Sequence, residues 1–365
     1  MRIAQVAPLA EAVPPKLYGG TERVVSWLTE ELVRRGHDVT LFASGDSITA
    51  ATLVPACSQA LRLAGIRDHL ASHIVLMRDV RRLAESFDII HFHVDLVQYA
   101  MFEDLAHKTL TTMHGRLDVP DFMPVYQAFP EMPLISISDH QRHPMPPDVN
   151  WLATIPHGLP KDLIPFNANG GEYLAFLGRI SPEKRPDRAI EIAKRVGMPL
   201  KIAAKVDRVD QGYFDQVIAP LLNDPLIEFI GEISQHQKAE FLGNAKALLF
   251  PIDWPEPFGL VMIEAMSAGT PVIAWGNGSV PEVIKNGVSG FIVDSMDEAA
   301  EVTSKVGALS RHDVRNHFLA KFTVERMARA YEVTYKRLLQ RQEIENGAET
   351  SILLPGTPSF IMDVT

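Results

Sequence analysis

Short apolar runs alternate with helix-patterned segments along nearly the whole chain, and no two-residue hairpin turn joins one run to the next. Parallel neighbours need a long crossover, so this β-α repetition requires parallel sheets covered by helices on both faces. Strands are expected at residues 2–7, 39–43, 88–92, 109–113, 134–137 and 151–155, with a helix over 21–35 closed by Gly36. After a polar, proline-rich passage over 156–171 the pattern begins again, with strands at 172–177, 200–204, 227–230, 247–250, 272–274 and 290–293. A chain of 365 residues exceeds the usual size of one core. The reading is therefore α/β, with two doubly wound, Rossmann-like domains over 1–165 and 166–321, and a ligand cleft beyond the carboxyl ends of the strands. Residues 322–342 carry a helical pattern in which Met327, Ala330, Tyr331, Thr334 and Leu338 share a face, and 343–365 have no clear period and read as a tail.

Hydrophobic residues make up 46% and charged residues 22%, the balance of a water-soluble globular protein. The single cysteine, Cys57, cannot form an internal disulfide, and no apolar run is long enough to span a bilayer. The residues before Pro8 are too few for a signal peptide, so the expected compartment is the cytoplasm. A net charge of -10 argues against nucleic acid as a partner, but leaves room for a local basic pocket. The helical pattern over 69–85 carries Arg78, Arg81 and Arg82. A solvated face is the favoured reading there, with peripheral contact to an anionic membrane or acidic glycan left open.

The most informative segment runs from Glu256 through Pro257, Phe258, Gly259 and Leu260 to Glu264, then on to Gly269-Thr270-Pro271. Pro255 and Pro257 keep the approach extended, Gly259 allows a close backbone approach, and a helix is expected from about 258 to 268. Its first amides have no intrahelical partner and suit a phosphate. Glu264, a turn or more along, is better placed for hydroxyls such as those of a ribose.

This segment resembles the Glu-seven-residues-Glu motif of retaining glycosyltransferases of family 4, and the resemblance extends over roughly residues 1–342. It implies the GT-B fold, with the helix over 322–342 crossing back onto the first domain. Tyr18-Gly19-Gly20-Thr21-Glu22 matches the family's glycine-rich loop, which implies that Gly19 and Gly20 lie near the donor's phosphates and sugar. Leu177 to Arg185 follows the first strand of the second domain; Ser181 reads as an N-cap and Pro182 as the first helical residue, which puts Lys184 in the first turn. The resemblance implies that Arg179 and Lys184 hold the donor diphosphate. It also implies that Glu256 orients the donor sugar, with Phe258, Gly259 and Leu260 beside it, that Glu264 grips the ribose, and that the backbone of Ile233 meets the base. His114 resembles the family's histidine at the reacting centre. His93 and Asp95 are weaker candidates for the acceptor side.

The expected activity is a hexosyl transfer from a UDP-, GDP- or ADP-sugar to a hydroxyl of a glycan, lipid or small-molecule acceptor. Retention is implied by the resemblance. No Asp-x-Asp triplet is present, so transfer is expected to be metal-independent, with no cofactor beyond the nucleotide-sugar co-substrate. Two departures stand out. Ala203-Ala204-Lys205 replaces a glycine-rich turn of many relatives, and His157 stands where Asn usually precedes Gly158, so no site role is assigned there. A nucleotide-sugar epimerase of the same architecture and a non-catalytic nucleotide-sugar-binding protein are the alternatives. A dehydrogenase is disfavoured, since no Gly-x-Gly-x-x-Gly follows the first strand.

Overall fold

The computed structural model of the chain describes residues 1–16 and 19–352. Tyr18 of the glycine-rich loop and residues 353–365 of the expected tail lie outside the described residues.

The first sheet contains β1 (Arg2–Val6), β2 (Asp38–Ser44), β3 (Thr52–Cys57), β4 (Ile89–Phe92), β5 (Thr109–Thr112), β6 (Leu134–Ser136) and β7 (Trp151–Thr154). They are ordered β3-β2-β1-β4-β5-β6-β7, and every pairing is parallel. The period-two alternation of a strand divides β1 between two cores. Ala4 and Val6 pack with Ile90, Phe92, Leu76 and Val80 on one face. On the other, Ile3 packs with Leu28, Leu32 and Ile89 and with Tyr331 and Tyr335 of the last helix. β3 has no sequence-level expectation behind it. It pairs only with β2, at the sheet edge, where Pro55 removes a donor that needs no partner.

The second sheet contains β8 (Tyr173–Ile180), β9 (Leu200–Val206), β10 (Ile227–Gly231), β11 (Ala245–Phe250), β12 (Val272–Trp275) and β13 (Gly290–Val293). Its order is β10-β9-β8-β11-β12-β13, also parallel throughout. Buried side chains of this sheet and its helices form one continuous core.

The last helix, Val324–Ile352, returns to the first sheet. Met327, Tyr331, Tyr335 and Leu338 are buried there, and Glu332 fixes the contact by bonding Arg35 at 2.6 Å and His37 at 2.8 Å. The Arg35 guanidinium, followed by His37, holds the Glu332 carboxyl down at about 2. Where the chain crosses over, Leu159 pairs with Thr323, and a Cβ on Gly158 would lie 2.3 Å from the Thr323 carbonyl oxygen. Among the described residues no helix is long and apolar enough to cross a membrane. The carboxyl ends of β1, β5, β6 and β7 from one sheet and of β8 to β11 from the other converge on one cleft, as the residues lining it show.

Candidate active site

The cleft holds a cavity of about 220 Å³, lined by Gly19, Gly20 and His114 from the first sheet's side. From the second come Arg179, Lys184, Ile233, Glu256, Phe258, Gly259, Leu260 and Glu264. The residues expected for the donor and the reacting centre thus lie at one place, whereas His93 and Asp95, the weaker acceptor-side candidates, line an adjoining cavity. Five cationic side chains, Arg23, Arg179, Lys184, Lys205 and Lys238, line it against three carboxylates, Glu232, Glu256 and Glu264. The lining thus carries more cations than carboxylates, in a chain of net charge -10, although Lys205 is paired with Asp207 at 2.9 Å.

The helix behind the glutamate pair spans Leu260–Ser267, two residues shorter at its start than expected. Gly259 has φ 76°, a left-handed conformation outside the helical region, so it precedes the helix instead of joining it. Gly20 approaches from the other sheet: a Cβ there would lie 3.6 Å from the Leu260 side chain. Glu256 accepts from the Lys184 ammonium and, at 3.0 Å, from Trp254 Nε1. The same ammonium lies 4.9 Å over the Trp254 ring and 5.7 Å over that of Phe250. Glu264 is 3% exposed and accepts from Lys238 Nζ at 2.7 Å. Lys238 comes from the Gln235–Gly243 helix, capped by Ser234, and no sequence motif marked it.

Glu256 is also held from behind. Gly278 has φ 61°, a Cβ on it would lie 2.4 Å from both the backbone nitrogen and oxygen of Glu256, and Ser279 donates to that oxygen at 3.0 Å. Gly278→Ala is therefore expected to cost about 2 kcal/mol or more, left-handed strain plus a backbone displacement. Gly287→Ala, at φ 73° with open space around it, meets only the strain, about 1 kcal/mol. Urea unfolding of the two variants checks this, and equal losses would contradict the close approach.

The segment after β8 departs from expectation. The helix begins at Pro186, not Pro182, because Arg185 adopts a left-handed φ of 52° and Pro186 supplies the fixed φ of a first helical residue. Ser181 is not an N-cap. Its hydroxyl has no hydrogen-bond partner, and its carbonyl accepts from the Lys184 and Arg185 amides in a turn. Lys184 consequently stands ahead of the helix and reaches Glu256 across the cavity wall. Arg179 lines the cavity, but its Nη2 donates to Glu183 at 2.7 Å, with Asp207 and Asp210 each at 3.9 Å.

Histidines form a chain leading to the cavity. Gln5 and His91 sit opposite each other in β1 and β4, polar positions in otherwise apolar strands. Gln5 Nε2, which only donates, lies 3.5 Å from His91 Nδ1, so that nitrogen is the acceptor; Tyr335 OH then donates to it at 2.8 Å, and His91 Nε2 donates to Thr112 Oγ1 at 2.7 Å. Gln5 Oε1 only accepts, so His93 donates to it from Nε2 at 2.7 Å. A neutral His93 then accepts at Nδ1 from His114 Nε2, 2.8 Å away, leaving His114 Nδ1 as an acceptor with no hydrogen-bond partner. Burial pushes His114 down to about 3, and pushes His91, His93 and His157 well below the ordinary imidazole range. His157, which the sequence reading left without a role, lines the cavity and stacks on His114 with ring centroids 5.1 Å apart. Its place just past β7, the same strand end that His114 holds on β5, is the signal that identifies it.

Two family profiles match the chain: Glycosyltransferase Family 4 over residues 18–146 and Glycosyl transferases group 1 over residues 164–316. D-inositol 3-phosphate glycosyltransferase of Streptomyces scabiei is 34% identical over 39% of this chain and 33% of its own length. Phosphatidyl-myo-inositol mannosyltransferase of Mycolicibacterium smegmatis is 24% identical over 98% of this chain and 97% of its own. The chain thus spans about a third of the length of the first relative and nearly all of the second. Among solved structures, Anabaena HepE in complex with UDP and glucose superposes with a TM-score of 0.71 at 17% identity, covering 92% of this chain and 99% of that one, which places both in one fold. Two facing parallel sheets, a returning last helix and profiles matching both halves agree, and the chain belongs to glycosyltransferase family 4.

Proposed function

We propose that this chain transfers a hexose from a nucleoside-diphosphate sugar to an acceptor hydroxyl, with retention at the anomeric carbon and without a metal ion. The observation that carries this reading is the convergence in one cavity of a cationic excess, the amino end of the Leu260–Ser267 helix, two cation-bearing carboxylates and a neutral histidine. Lys184, Lys238 and the first amides of the helix meet the diphosphate, whose charge grows as the bond to the sugar breaks. Arg179 joins them, its guanidinium shared with Glu183. Glu264 takes the ribose hydroxyls, Glu256 the hydroxyls of the hexose, and the backbone of Ile233 the base, with Gly19 and Gly20 leaving room for the phosphates and sugar. A neutral His114 suits an anomeric centre that becomes positive, because a cation there would oppose the developing charge, while its bare Nδ1 can accept from a sugar hydroxyl.

HepE was crystallised with UDP and glucose, so a UDP-sugar is the first donor to test, with GDP- and ADP-sugars beside it. The test has two arms. Thermal unfolding is measured with each nucleotide sugar, and a ligand that binds only the folded chain raises the midpoint. The stabilising donor is then incubated with acceptors, in excess chelator and with manganese or magnesium. Transfer at the same rate in chelator is expected. Dependence on the metal would remove the metal-free reading, and conversion of donor alone to an epimer would replace transfer with epimerisation.

A further inference from the structure

A second cavity, of about 450 Å³, adjoins the first at Thr21 and His114, which line both. Its walls carry a different charge. Glu22 of the Gly20–Arg34 helix and Asp95 beyond β4 line it, and among the described residues no lysine or arginine does. Arg62, which lies close enough to be felt at Glu22, is bound to Glu11 at 2.6 Å. Four imidazoles stand in the wall; His69 donates from Nε2 to the Ile66 carbonyl at 3.1 Å, and the other three are neutral. His73 accepts the Leu9 amide at Nε2 and donates from Nδ1 to the His69 carbonyl at 2.9 Å, which fixes it neutral, and burial lowers it further. His93 and His114 are neutral by the hydrogen-bond chain described above. Asp95 is open to the cavity yet ringed by protein, and Glu22 is buried; the loss of water raises both carboxyls above their ordinary range.

We propose that this cavity takes the acceptor, and that the acceptor is a hydroxyl-rich molecule bearing no phosphate or carboxylate, its hydroxyls held by Asp95 and Glu22 and its reacting hydroxyl presented beside His114. The inference rests on the transfer reading above. Carboxylates accept hydroxyl donors well, and bidentate acceptance orients a polyol. A phosphate in the same place would sit beside two carboxylates with no lysine or arginine in the described wall to offset it, a like-charge arrangement that interfaces use to exclude wrong partners. The two adjoining cavities thus sort the substrates by charge, the diphosphate to one side of His114 and the uncharged or amino-bearing polyol to the other.

Matched acceptors test it. Initial rates of transfer from the stabilising donor are compared for myo-inositol and D-inositol 3-phosphate, glucose and glucose 6-phosphate, and glucosamine and glucosamine 6-phosphate. The unphosphorylated member of each pair used is expected to have a kcat/KM at least about tenfold higher. Asp95→Asn should narrow the gap and Asp95→Lys should reverse it, whereas donor stabilisation should persist in both. Equal or better use of the phosphorylated members by the unaltered enzyme overturns the inference and leaves the transfer reading standing. No product from any pair, with the donor still raising the unfolding midpoint, overturns both.

Discussion

Replacing Lys184 by alanine is expected to lower turnover at saturating donor by on the order of 10²- to 10³-fold, the loss seen when a preorganised charge facing a developing oxyanion is removed. Lys184 is set into the cavity wall, its side chain 16% exposed, with Glu256 and Trp254 fixing the ammonium. A position fixed by two neighbours needs no rearrangement as charge builds on the leaving diphosphate. The same substitution leaves the Glu256 carboxylate with Trp254 Nε1 as its remaining side-chain donor, and breaking a buried pair costs about 3 kcal/mol. A Lys184→Ala, Glu256→Ala double variant should therefore be more stable than Lys184→Ala alone, because the stranded charge is gone. Arg179→Ala is expected to lose less, about tenfold, since Glu183 already engages its guanidinium and Asp207 and Asp210 stand close by. Steady-state rates and urea unfolding of the variants check both parts, and a Lys184→Ala enzyme that turns over within a factor of about three of the parent would remove this residue from the mechanism.

Acidification from pH 7.5 to pH 5 is expected to lower the unfolding free energy by several kcal/mol. His91, His93, His114 and His157 are held neutral by burial, with His114 lowered to about 3. The sign follows from proton uptake. Above the unfolded value near 6.5 both states are neutral and nothing is lost; below it the unfolded chain binds protons that the folded chain refuses, so stability falls as pH drops. The loss continues until the folded value is reached, and for each such histidine it amounts to about 2 kcal/mol at pH 5 as an upper bound. Glu22 and Asp95, raised by burial, act in the opposite sense, and Glu332, held at about 2, contributes its loss at lower pH. Between pH 6.5 and 5 Glu332 does not yet contribute, and the loss from four histidines is set against the gain from two carboxyls. Urea midpoints at pH 7.5 and pH 5 measure the effect, and coincident midpoints would contradict a neutral buried chain.

The strand repetition exposed twelve of the thirteen strands, because buried parallel strands are continuous apolar runs bounded by turns. β3 escaped because it is an edge strand with Pro55 in it, and its burial is only partial. The glutamate pair was legible as a helix start, whereas the glycine loop and His114 were placed by the family resemblance, because a Gly-Gly turn and a histidine at a strand end are weak local marks. Lys238 and Gly278 left none, since what they do depends on helices and loops brought together only in the fold. The turn over Ser181 to Arg185 misled for a related reason: two prolines, Pro182 and Pro186, offered two helix starts, and the left-handed Arg185 that decides between them carries no signature of its own. Gln5 and His91 drew no expectation from the sequence, because their partner Tyr335 lies on the last helix, more than 240 residues away from either.

The most direct test of the donor site is a crystal structure of the protein with a nucleoside-diphosphate sugar bound. The account predicts the diphosphate at the amino end of the Leu260–Ser267 helix within hydrogen-bond reach of Lys184, the ribose hydroxyls on Glu264, and the hexose between Glu256 and His114. A diphosphate bound away from that helix, or a ribose and hexose exchanged between the two glutamates, would contradict it.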